Sequence, residues 1–378
     1  MSRYELSSVF SIALLMAFRM LGMFMILPIF AAAAPALAGS TPVLIGLTLG
    51  VYGLTQAMLQ IPFGALSDRI GRKPIIAIGL TLLIIGSIIA ANAHSIYGIL
   101  VGRAIQGAGA IGSTCLALLS DLTRDENRSK AMAVVGMMIG LSFSIAIVIG
   151  PMINHYFQLN GIFWATAGLG LLALVLLFTT IAQPPRLMAQ QQPKTFNRYL
   201  IAFKNPQLLR LDGGIFTQHA MLTSLFVILP IILSKNLGLS SHQQTMTYLI
   251  VLAVAFIASI PLIILAEKYR KMKGVFIIAI ATLTISSLLL SLLNHSLVDV
   301  TLLLLLFFCA FSLLEACLPS LVSKIASIHN KGIAMGIYST SQFLGIFVGG
   351  SAAGWLYGQY GIGGVLLFIT LLGLIWLT

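Results

Sequence analysis

The chain has 378 residues, of which 59% are hydrophobic and only 8% charged, with a mean hydropathy of +1.04. A soluble domain carries roughly a quarter charged residues, so this composition excludes an ordinary water-exposed globule and indicates a membrane protein. Nine acids against 21 Lys and Arg give a formal net charge of +12, but the bases form no patch beside aromatic platforms, so no nucleic-acid partner is expected.

A membrane-crossing helix needs about 20 mostly apolar residues. Polar, Pro and Gly punctuation cuts the chain into twelve such spans: 8–34, 43–66, 74–93, 96–120, 130–155, 161–182, 208–233, 243–266, 274–294, 299–322, 332–357 and 362–378. The apolar stretch from Val9 to Ala38 has no clean cleavage boundary, so no cleavable leader is expected. The twelfth span is still running at Trp376, Leu377 and Thr378, and the expectation is that a polar tail has been trimmed beyond it. Cys115, Cys309 and Cys317 lie in apolar runs without CxxC or Cys/His spacing, so neither a disulfide framework nor a metal site is expected.

Bases are retained on the cytoplasmic side. With both termini inside, eighteen of the 21 Lys and Arg fall in the N-terminal arm or the loops after the even-numbered spans, and Lys235 alone falls in an outer loop. The positive charge then forms a cytoplasmic rim facing anionic lipid heads. The polar stretch Gln183 to Gln207 divides the spans six and six, giving an N-terminal bundle (1–182), a cytoplasmic linker (183–207) and a C-terminal bundle (208–378).

The two bundles repeat each other. Phe24, Ile26, Leu27 and Pro28 match Phe226, Ile228, Leu229 and Pro230 at an offset of 202. Ile61, Pro62, Leu66, Asp68 and Arg69 match Ile260, Pro261, Leu265, Glu267 and Lys268 at 199, and Asn127, Arg128, Ala131 and Met132 match Asn330, Lys331, Ala334 and Met335 at 203. Offsets this steady, with equivalent loops on one side, indicate parallel six-helix repeats around an axis along the membrane normal.

Ionisable groups at membrane depth cost several kcal/mol unless they face protein or water. At ~1.5 Å per residue from the cytoplasmic ends of their spans, His219, Glu315 and Arg19 all sit near mid-membrane, and Arg103 lies nearer the outer end of its own. They occupy spans 7, 10, 1 and 4, the first or fourth of each half, and are expected to line one water-filled path. Each also has a structural reading: Arg103 as a clamp on backbone carbonyls, Arg19 in a permanent pair, and His219 as a hydrogen-bonded interior ring. Glu315 resists such a reading, because its hold on a proton depends on hydration and nearby cations, which change when a cavity opens. Asp212 reads as a helix-terminal carboxylate at the start of span 7. Met23, Phe24, Met25, Phe216 and Met221 offer an apolar lining, although such residues at helical spacing also serve packing.

The loop after span 2 carries G-x-L-x-D-R-x-G-R-K, with Gly64, Leu66, Asp68, Arg69, Gly71, Arg72 and Lys73 at its defined positions. Gly71 permits a tight turn, the bases anchor to the inner leaflet, and Asp68 can hold a helix end or an Arg. In this motif the chain resembles the major facilitator superfamily. Arg103, Gln106, Gly107, Gly109 and Ala110 look like the helix 4 motif of its drug/proton antiporters. Gly150 and Pro151 look like the core of their helix 5 motif, with Asn154, His155 and Ala146 where glycines are usual. Arg19 to Phe24 and Tyr338 to Gly345 are similar to the YajR-like subgroup of bacterial exporters, members of which can carry a small soluble C-terminal domain.

The resemblance, over essentially the whole chain, implies an all-α major facilitator fold in a bacterial inner membrane, working by alternating access as a monomer. The expected function is proton-coupled export of a small, amphipathic or drug-like compound, with a proton gradient as energy source and no cofactor. An uncoupled facilitator and a proton symporter of a small metabolite remain open. An enzyme would need a paired nucleophile and base or a metal cluster in the spans, and a channel would not need two rocking halves. Glu315 and His219, tuned by Arg19, are the expected proton site. Arg103, Gln106, Met23, Phe24, Phe216 and Met221 are expected to line the cavity. Asp68 is expected to latch onto the start of span 11 near Gly332, Asp121 to pair with Arg72, and Glu267 with Lys268, Arg270 and Lys271 to form a degraded counterpart in the second half.

Overall fold

The computed structural model describes residues 3–181, 205–268, 272–326 and 331–378. The first span is α1 (Arg3–Phe24) followed by α2 (Leu27–Ala33), with the break set by Pro28, which lacks an N–H and starts the second segment. Span 2 is α3 (Pro42–Ile70), capped by the Thr41 side chain accepting from Leu44 N at 3.2 Å, and span 3 is α4 (Arg72–Ala91). Between them Gly71 adopts φ 104°, a conformation open to glycine and strained for other residues, so the tight turn read from the loop motif is present. Span 4 is α5 (Ile96–Ala108) plus α6 (Gly112–Asp121).

Spans 5 and 6 share one continuous element, α7 (Asp125–Thr179), and spans 11 and 12 share another, α12 (Lys331–Leu377). Each breaks once, at Gln158 (φ 57°) and at Gly361 (φ 64°). These two positions are 203 apart, an offset already found in the repeat. Spans 7 to 10 are α8 (Pro206–Ile231), α9 (Ser241–Lys268), α10 (Met272–Leu292) and α11 (Leu297–Ile325). Among the described residues ten helices are long and apolar enough to cross a membrane, and dividing α7 and α12 at their breaks gives the expected twelve spans.

Two expectations change. Asn205 caps α8, its Oδ1 accepting from Gln207 N at 3.0 Å and Leu208 N at 3.4 Å, so span 7 begins at Pro206 and Asp212 lies beyond the first turn. Asp212 is therefore not a helix-terminal carboxylate; it is buried, and its Oδ1 has no hydrogen-bond partner. Most of the linker 183–207 lies outside the described residues, as do Arg270 and Lys271 and the side chains of Glu267 and Lys268.

The loops after even-numbered spans define a basic face, and the opposite side is called the far face here. Near the far face, spans 2 and 11 approach backbone to backbone. A Cβ on Gly46 would meet Gly350 O at 2.2 Å and Gly354 Cα at 2.6 Å, and one on Gly53 would meet Phe343 O at 2.4 Å. Without a hydrophobic drive between helices in lipid, such small-residue contacts hold helices together by close packing. Toward the basic face the approach ends: a Cβ on Gly136 or Gly140 of span 5, or on Gly332 or Gly336 of span 11, would meet no atom within 4 Å. The halves are joined at the far face and part toward the basic face.

A side chain at position 46 is therefore expected to wedge the far face apart. Overpacking of this kind costs about 1–3 kcal/mol, enough to redistribute two states of similar energy. Spin labels at the exposed far-face positions Val43 and Tyr360 should report longer distances in Gly46→Leu. An unchanged distribution would mean that the two helices absorb the side chain without separating.

Candidate functional site

In the first half, the central polar groups gather on span 2. Arg19, 1% exposed, donates from Nη2 to Gln56 Oε1 at 2.6 Å and to the Tyr52 hydroxyl oxygen at 3.2 Å. Gln56 Nε2 donates in turn to Gln60 Oε1 at 3.0 Å. Arg103, 2% exposed, lies with its guanidinium carbon 4.6 Å from the centre of the Tyr52 ring and donates from Nη1 to Gln106 Oε1 at 3.0 Å. Tyr52 thus serves two cations, one through its oxygen and one through its π face, a contact worth about 0.5–2 kcal/mol.

In the second half, Glu315 and His219 come together as expected, His219 Nε2 being 3.9 Å from Glu315 Oε2. Gln218 Nε2 donates to the same carboxylate oxygen and to Phe311 O, both at 3.1 Å. Gln342 Nε2 stands 2.8 Å from His219 Nε2. If that amide nitrogen donates, the ring is neutral and carries its proton on Nδ1, which is buried and has no hydrogen-bond partner among the described residues. A proton on Nε2 would instead require the Gln342 amide to turn and offer its oxygen, or that N–H to swing toward Glu315. Glu315 keeps 27% of its side chain accessible, whereas His219 is 2% exposed. Tyr338 is buried, and its hydroxyl has no hydrogen-bond partner among the described residues.

Between the halves lies a small pocket of about 10 Å³, room for roughly one water molecule. Met23, Phe24, Tyr52, Arg103, His219 and Thr223 are among its walls. His219 is the hinge of the arrangement, since its ring lines the pocket while its Nε2 faces Glu315. Aromatic rings cross between the halves beside it: Phe24 to Phe143 at 4.9 Å, Phe143 to Phe311 at 5.9 Å, and Phe311 to His219 at 5.9 Å.

Of the expected lining residues, Met23, Phe24 and Arg103 line this pocket and three do not. Gln106 turns away to donate to Ser87 Oγ at 2.7 Å, Met221 is fully buried in the core, and the Phe216 backbone packs against Gly345. The recorded bonds of Arg19 go to span 2 rather than to Glu315. Gly150 of the helix 5 motif lies against the Met25 carbonyl at the break in the first span, with Pro151 buried beside it. Tyr52, Gln56, Gln218 and Thr223 were not singled out from the sequence, and Gln342 only within the stretch Tyr338 to Gly345, although a glutamine inside an apolar span is a signal of the same kind as a charge.

At the basic face, Arg72 joins the loop motif to span 4. Its Nε meets Asp121 Oδ2 at 3.1 Å, as expected, its Nη1 donates to Ser67 Oγ at 2.7 Å, and it also pairs with Asp68. Lys73 donates to the Ile181 carbonyl beyond span 6, Gly64 lies beside Ser113 of span 4, and Arg69 is exposed. The expected latch between Asp68 and Gly332 is not formed in this conformation: Asp68 is 63% exposed in the last turn of α3, and a Cβ on Gly332 would meet no described residue within 4 Å. The reason is geometric, because the halves part on this side.

Comparison with known proteins agrees with this architecture. A family model described as Major Facilitator Superfamily matches residues 12–217 and 211–378. The inner membrane transport protein YajR of Escherichia coli K12 is 42% identical over 376 residues, covering 99% of this chain and 81% of that protein. The multidrug resistance protein MdtL of Klebsiella pneumoniae is 31% identical over 115 residues, 30% of this chain and 29% of its own. A crystal structure of a D-xylose–proton symporter superposes with a TM-score of 0.78 at 18% identity, covering 98% of this chain and 96% of the other.

The Arg72–Asp121 pair is expected to hold spans 3 and 4 together whatever state the halves adopt. Arg72→Gln and Asp121→Asn, made singly and together, should show a coupling of about 1 kcal/mol in the stability of the purified protein. Additive losses would leave the pair without an energetic role.

Proposed function

The chain belongs to the Major Facilitator Superfamily, and from that premise we propose that it exports a small amphipathic compound by alternating access, driven by protons moving the other way. It is a multi-pass membrane transporter and not an enzyme. The observation that carries the coupling is the Glu315–His219 pair, which Gln218 and Gln342 hold beside the pocket between the halves.

A protonated Glu315 is neutral and tolerates a dry, closed cavity; an ionised one needs water or a cation. Losing its proton therefore favours the hydrated, open arrangement. Coupling follows if substrate and proton prefer opposite states, since a ligand with equal affinity for both shifts nothing. The amide of Gln342 passes this change to the pocket, because the orientation that suits a neutral His219 is wrong for a protonated one. Similarity of part of the chain to a multidrug resistance protein favours the outward direction. The basic face belongs in the cytoplasm of a bacterial inner membrane, with both termini there and the Lys and Arg rim against anionic lipid.

Closing the basic face brings Asp68 toward the N-terminus of span 11, whose partial positive charge it then meets. Such a surface contact adds little at equilibrium, yet a latch needs only a small difference between states. In Asp68→Asn the population is expected to shift toward the state open at the basic face. Distances between spin labels on the loops after spans 2 and 10 check this, and distributions unchanged by the substitution would remove Asp68 from the mechanism.

Glu315→Gln is expected to abolish gradient-driven transport in proteoliposomes while substrate exchange or binding persists. Accumulation against a gradient at the wild-type rate would make the carboxyl structural and favour an uncoupled facilitator, unless His219→Gln by itself stops the pumping.

A further inference from the structure

Arg19 and Arg103 are both buried in the first half, and among the described residues neither is paired with a carboxylate. Their partners are a phenol and two amides, all neutral. Each also keeps a fully buried nitrogen without a hydrogen-bond partner, Nη1 of Arg19 and Nε of Arg103. A structural arginine at membrane depth normally has its donors taken up by carbonyls or acids, because an unsatisfied buried donor is costly. Arg103 is left short where it and Tyr52 form the wall of a pocket between the halves, and Arg19 lies behind that wall on the Tyr52 hydroxyl. Glu315 does not supply the missing charge, since its oxygen is taken by Gln218 and faces His219.

We infer that the transported compound is an organic anion, recognised by Arg103 at the pocket wall, with Arg19 adding positive charge from behind Tyr52. This rests on the transporter reading above and specifies its substrate. The anionic end, a carboxylate, sulfonate or phosphate, accepts from Arg103 at the pocket wall, with Thr223 across from it on span 7. The apolar body lies along Met23, Phe24, Leu222 and Ile346. With room for about one water, the pocket must widen to take such a compound. Met23 and Phe24, which can rotate, are the walls that turn aside to admit the ligand. A cationic compound would meet two like charges with nothing between to offset them, so the same arrangement discriminates against cations.

The test is binding to the purified wild-type protein, read as a shift in unfolding temperature. The probes are aryl and alkyl carboxylates, sulfonates and phosphates with their neutral and cationic isosteres, beginning with naphthylacetate, naphthylacetamide and naphthylethylammonium. Ligands that bind the folded state raise that temperature in proportion to the logarithm of saturation. The expected result is that anions raise it by a few degrees and their isosteres do not. Arg103→Gln should weaken binding of the best anion about tenfold or more, and Arg103→Lys, which keeps the charge and loses the fork, by less. If amides or amines stabilise the wild-type protein as well as the acids, or if no anion of the panel does so, the inference is overturned. No gradient and no variant is needed for that comparison, so it is independent of the Glu315→Gln transport result, on which the proton-coupled reading stands or falls.

Discussion

The backbone approach of span 2 to span 11 is the constraint on which this conformation depends. Gly46 and Gly53 on one helix, and Gly350 and Gly354 on the other, leave no space for a Cβ. The same span 2 carries Tyr52 beside Gly53, then Gln56 and Gln60 further toward the basic face, and ends in the loop motif at Gly71. One helix therefore seals the far face, holds both central arginines and delivers Asp68 to the basic face. A rotation of the halves that opened the glycine contact would move all three together. Rigid-body exchange between two packings is physically simpler than separate local changes, because a packed interface is bistable rather than continuously deformable.

The central charges follow a second constraint, the low polarity of the surroundings. Each half solves it differently. The first half surrounds two permanent cations with neutral hydrogen-bonding partners, which fixes its charge in every state. The second half uses groups that can lose their charge, Glu315 and His219, bridged by amides able to donate or accept. The pseudo-symmetric bundles thus divide the labour: the first presents a constant field, and the second holds groups whose charge varies with proton occupancy.

Most of the architecture was legible from hydropathy and charge. The twelve spans, the repeat and the Arg72–Asp121 pair were readable because length, offset and the position of bases are one-dimensional properties. The meeting of Glu315 and His219 was readable because charge in an apolar span has few permissible places. What was missed depends on direction around a helix axis. Gln106 and Arg103 are three residues apart, yet one turns to Ser87 and the other to the pocket. Asp212 was misread because the start of its helix is decided by the Asn205 cap rather than by where the apolar run begins. The Asp68 latch differs in kind, for a sequence encodes contacts of every state whereas one conformation displays a subset of them.

His219 is where these strands meet. It touches the pocket with its ring, Glu315 with its Nε2 edge and Phe311 with its face, and through Phe311 and Phe143 it reaches Phe24 of the first half. A change of charge there is felt on three sides at once. On the proposed reading, gain or loss of a proton there changes the field beside Arg103 and the hydrogen bond to Gln342, which lies on the span 11 that seals the far face. The same proton therefore acts on ligand affinity and on the seal. That is the minimum any coupling device requires, a single event with differential consequences in two conformations. Glu315 is more accessible than the ring, which on the proposed reading makes it the group that exchanges a proton with water, and Gln218 donates to its carboxylate.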